Sequence, residues 1–183
     1  MGSWRKYGGA ALIWALVGLV SGFAYENGLD RLLGENINPA VAAADAAIVG
    51  RASVIDGDTI KINGQRIRLF GIDAPESGQP CRDTDGHDYP CGRHAETALV
   101  AKIGSQTVSC EGKGIDRYQR IVAVCRAGGA ELNMWMVREG WAVAYVRYSR
   151  RYVPAEADAK VARRGIWRGT FTPPETWRHS SRL

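Results

Sequence analysis

The sequence has few of the residues that would indicate a zinc site. It contains four cysteines and three histidines among 183 residues. Cys81, Cys91, Cys110 and Cys125 form no C-x-x-C pair, and no histidine stands at zinc-finger distance from them, which argues against zinc. The chain also has no internal repeat and no low-complexity tract of note. It is therefore interpreted as one domain of ordinary size with a modest extension.

The overall composition suits a packed domain rather than a disordered chain. Apolar residues make up 45% and aromatic residues 9% of the sequence, as in ordinary globular proteins. The formal net charge is +5 and the isoelectric point is about 9.2. This balance is compatible with a polyanionic partner but does not require one.

The N-terminal segment predicts export. Arg5 and Lys6 precede an uncharged run over residues 7–25, and a helix of that length would span about 28 Å, enough to cross a bilayer core. A cleaved signal peptide is one interpretation, because Gly22-Phe23-Ala24 offers small residues. A retained anchor is favoured by the length of the run and by Trp14. Both interpretations place the rest of the chain outside the cytoplasm.

The cysteines agree with export, because an even number beyond the apolar run is typical of disulfides in an oxidising compartment. Three pairings are possible. We favour Cys110–Cys125, whose members flank a predicted hairpin, and Cys81–Cys91, which would close a polar loop. Closing loops of this length typically contributes about 2–4 kcal/mol.

Turn signals predict a β-meander. Asp56-Gly57 and Asn63-Gly64 are strong hairpin signals because both dipeptides accept positive φ, and Asp56 is interpreted as a turn residue. In the third strand Ile67 and Leu69 alternate with Arg68, which should point away from their face. The predicted strands are 51–55, 59–62, 66–72, 106–111 and 120–126.

Three helices are predicted from apolar periodicity and closing glycines. They cover 92–103, 131–139 and 155–164. Five short strands with interspersed helices are too closely spaced for repeated βαβ crossovers. The fold class is therefore mostly β with α (α+β), a five-stranded OB-type barrel with about three helices.

Several motifs follow one another in a specific order. They are Val54–Thr59, Arg68–Glu76, Asp116–Arg120, Gly140–Tyr145 and Gly165–Trp167. Staphylococcal nuclease-like (thermonuclease) domains have these motifs in the same order and at similar spacing, and the sequence resembles that family over about residues 48–168. The tail Pro173–Arg178 also looks like bacterial members.

The resemblance implies a Ca²⁺ site. Asp58 and Asp73 match the carboxylate ligands, and the backbone carbonyl that follows, at Ala74, matches a further oxygen ligand. The family usually has Thr where this chain has Ala74, so a hydroxyl hydrogen bond would be lost there. The acidic loop 82–88 lacks EF-hand spacing and a closing glutamate, and it is not predicted to bind a second Ca²⁺.

The resemblance also implies catalytic and substrate-binding roles. Glu76 matches the position that hydrogen-bonds or activates the attacking water. Arg68 and Arg120 match the arginines that flank the reacting phosphate, where planar donors suit the charge that builds in the transition state. The candidate substrate-binding residues are Tyr118, Tyr145, Arg147 and Tyr148. The segment 145–152 interleaves aromatic and basic groups, which suits a single strand, although a solvated basic segment is the plainer alternative.

The predicted function is an exported, Ca²⁺-dependent nuclease that hydrolyses DNA and RNA with low sequence specificity and prefers single strands. A non-catalytic nucleic-acid-binding module of the cell envelope is the alternative. The protein is expected to be a monomer, anchored in the inner or plasma membrane through residues 7–25 if these are not cleaved. The predicted divisions are a signal or anchor segment 1–25, a linker 26–47, the nuclease-like domain 48–168 and a tail 169–183.

Overall fold

The structure, a computed structural model, describes residues 47–180. The predicted signal or anchor segment and nearly all of the predicted linker lie outside these residues. Within residues 47–180, no helix has the length and apolar character needed to cross a membrane.

The described chain forms short strands, four α-helices and one 3-10 turn. The strands are β1 Ile48–Asp56, β2 Thr59–Ile62, β3 Gln65–Leu69, β4 Ile72–Asp73, β5 Cys81–Arg82, β6 Asp88–Tyr89, β7 Thr107–Ile115, β8 Ile121–Ala127, β9 Ala130–Glu131 and β10 Val143–Ala144. The helices are α1 Cys91–Ile103, α2 Leu132–Arg138, α3 Val153–Val161 and α4 Pro174–Ser180, and the 3-10 turn is Gly165–Arg168.

Five strands close into a barrel, as predicted. The main sheet runs β3-β2-β1-β7-β8-β9, and a parallel pairing between β3 and β8 closes the first five of these strands into the barrel, with β9 paired to β8. The long strands β1 and β7 each shift register once, between Val54 and Asp56 and between Gly112 and Gly114. Such bulges bend a strand and increase its twist, which lets one strand take part in two parts of a closed sheet.

The β2–β3 hairpin forms at the predicted Asn63-Gly64 turn. Both residues have positive φ, 50° and 84°, the geometry of a two-residue turn that matches strand twist. Ile67 and Leu69 are buried while Arg68, between them, turns to the other face. The Asp56-Gly57 turn also forms, and Asp56 accepts a hydrogen bond from the backbone N–H of Asp58 at 3.0 Å. This is the turn role predicted for Asp56.

The main core packs the first three helices against the barrel. Leu99 and Ile103 of α1 belong to the same buried cluster as Ile60 and Ile62 of the barrel, and fully burying each such side chain stabilises the fold by about 1.5–3 kcal/mol. The first three helices appear where the sequence predicted them, with ends shifted by a few residues. Helix α4 was not predicted, because a helix of seven residues that begins at Pro174 is too short to display a clear apolar period.

Both favoured disulfides are present, and the pairing prediction is confirmed. Cys110 and Cys125 face each other across β7 and β8, with Cα atoms 4.0 Å apart. Cys81 and Cys91 join β5 to the first residue of α1, with Cα atoms 5.6 Å apart. The first bridge lies within the barrel, whereas the second holds the start of α1 beside the loop that follows β4.

Candidate active site

An open cleft of about 910 Å³ lies on one side of the barrel. Its walls come from the β3–β4 segment, the β7–β8 loop, residues 145–148 and α4. Seven arginines and lysines and four acidic residues line it, a formal excess of three positive charges. A concave basic surface of this kind attracts anionic substrates. The basic residues are Arg66, Arg68, Lys113, Arg117, Arg120, Arg147 and Arg178.

Two buried carboxylates lie at the base of the cleft, bridged by one arginine. Asp58 and Asp73 are 2% and 1% exposed, and Arg68 forms ion pairs with both, through Nη1 to Asp58 and through Nη2 to Asp73 Oδ1 at 2.8 Å. Asp58 also accepts hydrogen bonds from the Ala74 backbone N–H at 2.8 Å and the Thr59 hydroxyl at 3.1 Å. Buried charges persist when they are paired and hydrogen-bonded in this way.

Strand register explains how these three groups meet. The β2–β3 turn places Thr59 opposite Arg68, so Asp58, one residue earlier, lies beside the arginine. Asp73 reaches the same point on β4, which pairs with Val143 of β10. Burial lowers the pKa of Arg68 while contact with Asp73 acts in the opposite direction, and an arginine still remains protonated.

Arg120 also lines the cleft and is held in place by Asp116. The carboxylate of Asp116 accepts hydrogen bonds from Arg120 Nε at 2.8 Å and from the backbone N–H groups of Tyr118 and Arg120 at 2.9 Å. Partial burial raises the pKa of Asp116, but these hydrogen bonds outweigh burial and lower it. The Arg120 guanidinium lies 5.4 Å from the centre of the Tyr118 ring. Arg120 is therefore pre-oriented at the cleft.

Glu76 lies at the rim of the cleft, and hydrogen bonds between its backbone and Gln79 hold it there. Its N–H donates to Gln79 Oε1 at 3.3 Å, and its carbonyl accepts from the Gln79 N–H at 2.7 Å. Gln79 is fully buried, and its side-chain amide donates to the Thr172 carbonyl at 2.7 Å. Gly92 packs so closely that an added Cβ would overlap the Glu76 carbonyl oxygen. The loop after β4 is thus fixed by α1 and by the segment before α4.

The predicted substrate-binding residues also line the cleft. Tyr118 and Tyr148 are 54% and 64% exposed, and the rings of Tyr145 and Tyr148 meet edge to face with centroids 4.8 Å apart. Tyr145 donates its hydroxyl to Glu175 at 3.0 Å. Burial and the Glu175 carboxylate raise the pKa of that hydroxyl. Exposed aromatic faces beside guanidinium groups suit stacked bases and phosphates.

Helix α4 supplies contacts that sequence reasoning missed. Arg178 donates to both oxygens of Asp73 at 2.9 Å and to Glu76 Oε1 at 2.8 Å. On the same helix, Glu175 accepts from Arg147 at 3.2 Å. The tail motif containing Glu175 and Arg178 was visible in the sequence, and their spacing of three would have put both side chains on one face had a helix been predicted there.

The structure therefore brings the sequence-predicted residues around one cleft. Arg68, Glu76 and Arg120 lie on its walls, and Asp58 and Asp73 lie beneath Arg68. The residues that sequence reasoning missed are Gln79, Gly92, Glu175 and Arg178. Each of these makes at least one contact with a segment distant in sequence or packed against it only in the folded chain, and that contact is what sequence reasoning could not place.

The donor set fits a hard divalent cation. Asp58 and Asp73 offer carboxylate oxygens that both contact Arg68, and carboxylates are the ligands that Ca²⁺ and Mg²⁺ prefer.

A second group of possible metal ligands, Asp83, Asp85 and His87, has ligand atoms within 4.8 Å of one another. There Asp83 accepts hydrogen bonds from the Asp85 and His87 backbone N–H groups at 2.9 Å, and these bonds lower its pKa. That group is an exposed turn outside the cleft.

Fold and site together define the class of protein: a small closed barrel whose basic cleft carries a carboxylate–arginine centre. The family model described as "Staphylococcal nuclease homologue" matches residues 66–169. The chain belongs to this family.

Curated relatives support the assignment. The chain is 45% identical to a succinoglycan biosynthesis protein, ExoI, of Rhizobium meliloti over 130 residues, covering 69% of this chain and 68% of the relative. It is 36% identical to an uncharacterized endonuclease of Escherichia coli, over 73% of this chain and 87% of the relative. It is 34% identical to a micrococcal nuclease of Shigella flexneri, over 70% of this chain and 79% of the relative.

Proposed function

We propose that the protein is a Ca²⁺-dependent endonuclease that hydrolyses phosphodiester bonds of DNA and RNA with little sequence preference. The observation that carries the proposal is the grouping of Asp58, Arg68 and Asp73 at the base of a basic cleft that Arg120 also lines. Family membership and relatives named as nucleases support hydrolysis of nucleic acid.

The arginines would bind the reacting phosphate. Arg68 and Arg120 can donate planar pairs of hydrogen bonds to its oxygens, and these bonds strengthen as charge develops in the transition state. Because Arg120 is already oriented by Asp116, little reorganisation would be needed when substrate binds. Removing one comparable donor costs about 10²–10³ in rate.

Carboxylates would hold the cation and the attacking water. Asp58 and Asp73 would ligate the cation, which when bound polarises the phosphate and lowers the pKa of water. Glu76, at the rim of the cleft, would accept a hydrogen bond from the attacking water and orient it. Ca²⁺ is proposed over softer metals because the protein ligands are carboxylate oxygens.

The substrate strand would run past Tyr118, Tyr145, Arg147 and Tyr148. Exposed rings offer stacking that is worth about 1–3 kcal/mol per base and does not depend on base identity. Stacking of this kind needs splayed bases, so single strands or frayed ends should be preferred. A non-catalytic binding module would use the same surface without needing the carboxylates at its base.

The test is cleavage of labelled single-stranded DNA, duplex DNA and RNA by the full-length protein, with Ca²⁺ or with a chelator. We expect Ca²⁺-dependent cleavage, fastest on single strands. Arg120→Met should lose activity, whereas the charge-matched control Arg82→Met should not, because Arg82 lies in an exposed pair with Asp88. Tight binding without cleavage under any condition would instead establish the binding module.

The same proposal places the domain outside the cytoplasm, with residues 1–25 as signal or anchor. Two disulfides support it, because such bridges persist in oxidising compartments. Fractionation of the native host and mass measurement of the protein would test export and cleavage. Recovery of the protein with free thiols from the cytoplasm would refute this part.

A further inference from the structure

The family match ends at residue 169. Among the described residues beyond it, Arg178 contacts two of the predicted site residues, Asp73 and Glu76. Its guanidinium donates to both oxygens of Asp73, at 2.9 Å each, and the same Nη1 donates to Glu76 at 2.8 Å. A forked geometry that engages both oxygens of a carboxylate fixes its orientation as well as its charge. Arg178 thus links the buried acid to the acid at the rim.

The charges at the base of the cleft explain why a second guanidinium is needed. Arg68 is shared between Asp58 and Asp73, so it leaves one of two buried negative charges uncompensated, and Glu76 adds a third nearby. An unpaired buried charge is strongly destabilising. Arg178 supplies the second positive charge, through ion pairs with Asp73 at 2.9 Å and Glu76 at 2.8 Å.

Further contacts hold helix α4 in the position from which Arg178 reaches the two acids. Glu175, one turn before Arg178, accepts hydrogen bonds from Tyr145 at 3.0 Å and Arg147 at 3.2 Å. The segment leading into the helix is tied by Gln79, whose amide reaches the Thr172 carbonyl at 2.7 Å. Gln79 is also the residue that holds the Glu76 backbone. The acid and the arginine are therefore positioned by the same buried amide.

We propose that Arg178 is a positioning residue of the active centre, which orients Asp73 and Glu76 and makes α4 part of the site. This inference rests on the proposed function of the cleft. It assigns Arg178 no contact with the substrate. Arg178 would hold Asp73 and Glu76 in the arrangement that turnover needs, while its positive charge, beside a proposed cation ligand, would weaken cation binding.

A rival arrangement would use the same contacts to block the site. Glu175 contacts two residues proposed to bind the substrate strand, and Arg178 contacts Asp73, a proposed cation ligand, so α4 could exclude both ligands. The two interpretations predict opposite effects of removing Arg178 on activity. Removing Arg178 lowers turnover if it positions the acids and raises kcat/KM if it blocks them.

The experiment compares wild type, Arg178→Met and the charge-matched control Arg82→Met as full-length proteins on single-stranded DNA. For Arg178→Met we expect kcat to fall by about 10–100-fold, the range found when partners that orient metal ligands are removed. KM should stay within about threefold, because Arg178 is not a substrate contact. Arg82→Met should match wild type in both constants.

Calorimetric titration with CaCl₂ in the absence of nucleic acid supplies a readout that a merely structural role would not give. Removing a positive charge beside Asp73 should tighten Ca²⁺ binding by about threefold or more, while turnover falls. Loss of fold would weaken both. A slower enzyme that binds Ca²⁺ more tightly therefore identifies positioning.

Several results would overturn the inference. One is kcat at or above the wild-type value in Arg178→Met, and another is a rate loss that saturating Ca²⁺ fully restores. If Arg178→Met does not fold, Arg178→Lys decides, because lysine keeps the charge but lacks the planar fork that engages both oxygens of Asp73. Wild-type kcat in folded Arg178→Lys would refute positioning. Absence of cleavage by wild type would refute the proposed function instead, and equal Ca²⁺ affinities of wild type and Arg178→Met would then overturn this inference on its own.

Discussion

The β2–β3 hairpin and helix α4 each bring an arginine to Asp73, by different means. Arg68 lies 10 residues from Asp58 and 5 from Asp73 in the chain, and a two-residue turn sets its place. Arg178 lies 105 residues from Asp73 and reaches it through a docked terminal helix. A local hairpin is specified by a few residues, whereas a distant helix depends on the whole fold. We expect loss of Arg68 to cost more stability than loss of Arg178, because Arg68 pairs with two buried carboxylates, whereas Arg178 pairs with one buried carboxylate and with the partly exposed Glu76.

Among the variants that test this comparison, Arg68→Met should have the largest effect. Two buried carboxylates would lose their shared partner, and breaking a buried pair costs about 3–5 kcal/mol. We expect activity below detection and a large fall in melting temperature, partly restored by Ca²⁺, which would supply the missing positive charge. Thermal melting with and without Ca²⁺ measures this. A melting temperature equal to that of wild type would show that the hairpin arginine has no structural role.

Arg120→Met should remove activity without comparable loss of stability. Arg120 forms an ion pair with Asp116 that is partly exposed to solvent, and such pairs contribute little. Loss of one donor to the transition state should lower kcat by about 10²–10³. Steady-state kinetics alongside urea unfolding would separate the two effects. An unchanged kcat would remove Arg120 from the mechanism.

Gly92→Ala tests how firmly the Glu76 loop must be held. The new methyl group would overlap the Glu76 carbonyl, and overpacking of this kind costs about 1–3 kcal/mol. We expect lower stability and lower kcat, because Glu76 would move away from the Arg178 contact. Gly78→Ala in the same loop is the matched control, since an added Cβ there meets nothing within 4 Å. Equal kcat in the two variants would show that the Glu76 backbone tolerates displacement.

The smallest effect expected is the pH dependence contributed by Asp116. Its folded-state pKa is lowered by the hydrogen bonds from Arg120 and Tyr118. The stabilisation is therefore fully present above the unfolded pKa, near pH 4, and is lost as pH falls through the folded value. The stability difference between wild type and Asp116→Asn should be constant above about pH 5 and shrink below about pH 4. Chemical unfolding across this range measures it, and a difference independent of pH would contradict the assignment.

Much of the barrel could be predicted from the sequence because its signals are local. Asn63-Gly64 requires positive φ, and the alternation in β3 puts Ile67 and Leu69 inside and Arg68 outside. The pairing of Cys110 with Cys125 followed from the second hairpin. The ends of the helices were less accurate, because helix termini are set by caps and packing rather than by periodicity alone.

What the sequence could not give was the contribution of the distant segments. Gln79 is a buried polar residue whose partners, Glu76 and Thr172, lie on two different segments. Gly92 looks like an ordinary helix start until the Glu76 carbonyl is placed against it. Glu175 and Arg178 look like solvated charges in a short tail. Each of them acquires a partner only when the chain closes on itself.

The sequence by itself therefore determined the barrel, the family and the cluster of Asp58, Arg68 and Asp73, because turns and alternation act over neighbouring residues. It favoured one of three disulfide pairings without deciding among them. Only the tertiary structure decided that α4 completes the wall of the cleft and that Arg178 shares Asp73 with Arg68. The physical reason is the range of the interactions. Hairpin register is fixed within one turn, whereas the partner of a buried charge is chosen by which segment the closed fold brings beside it.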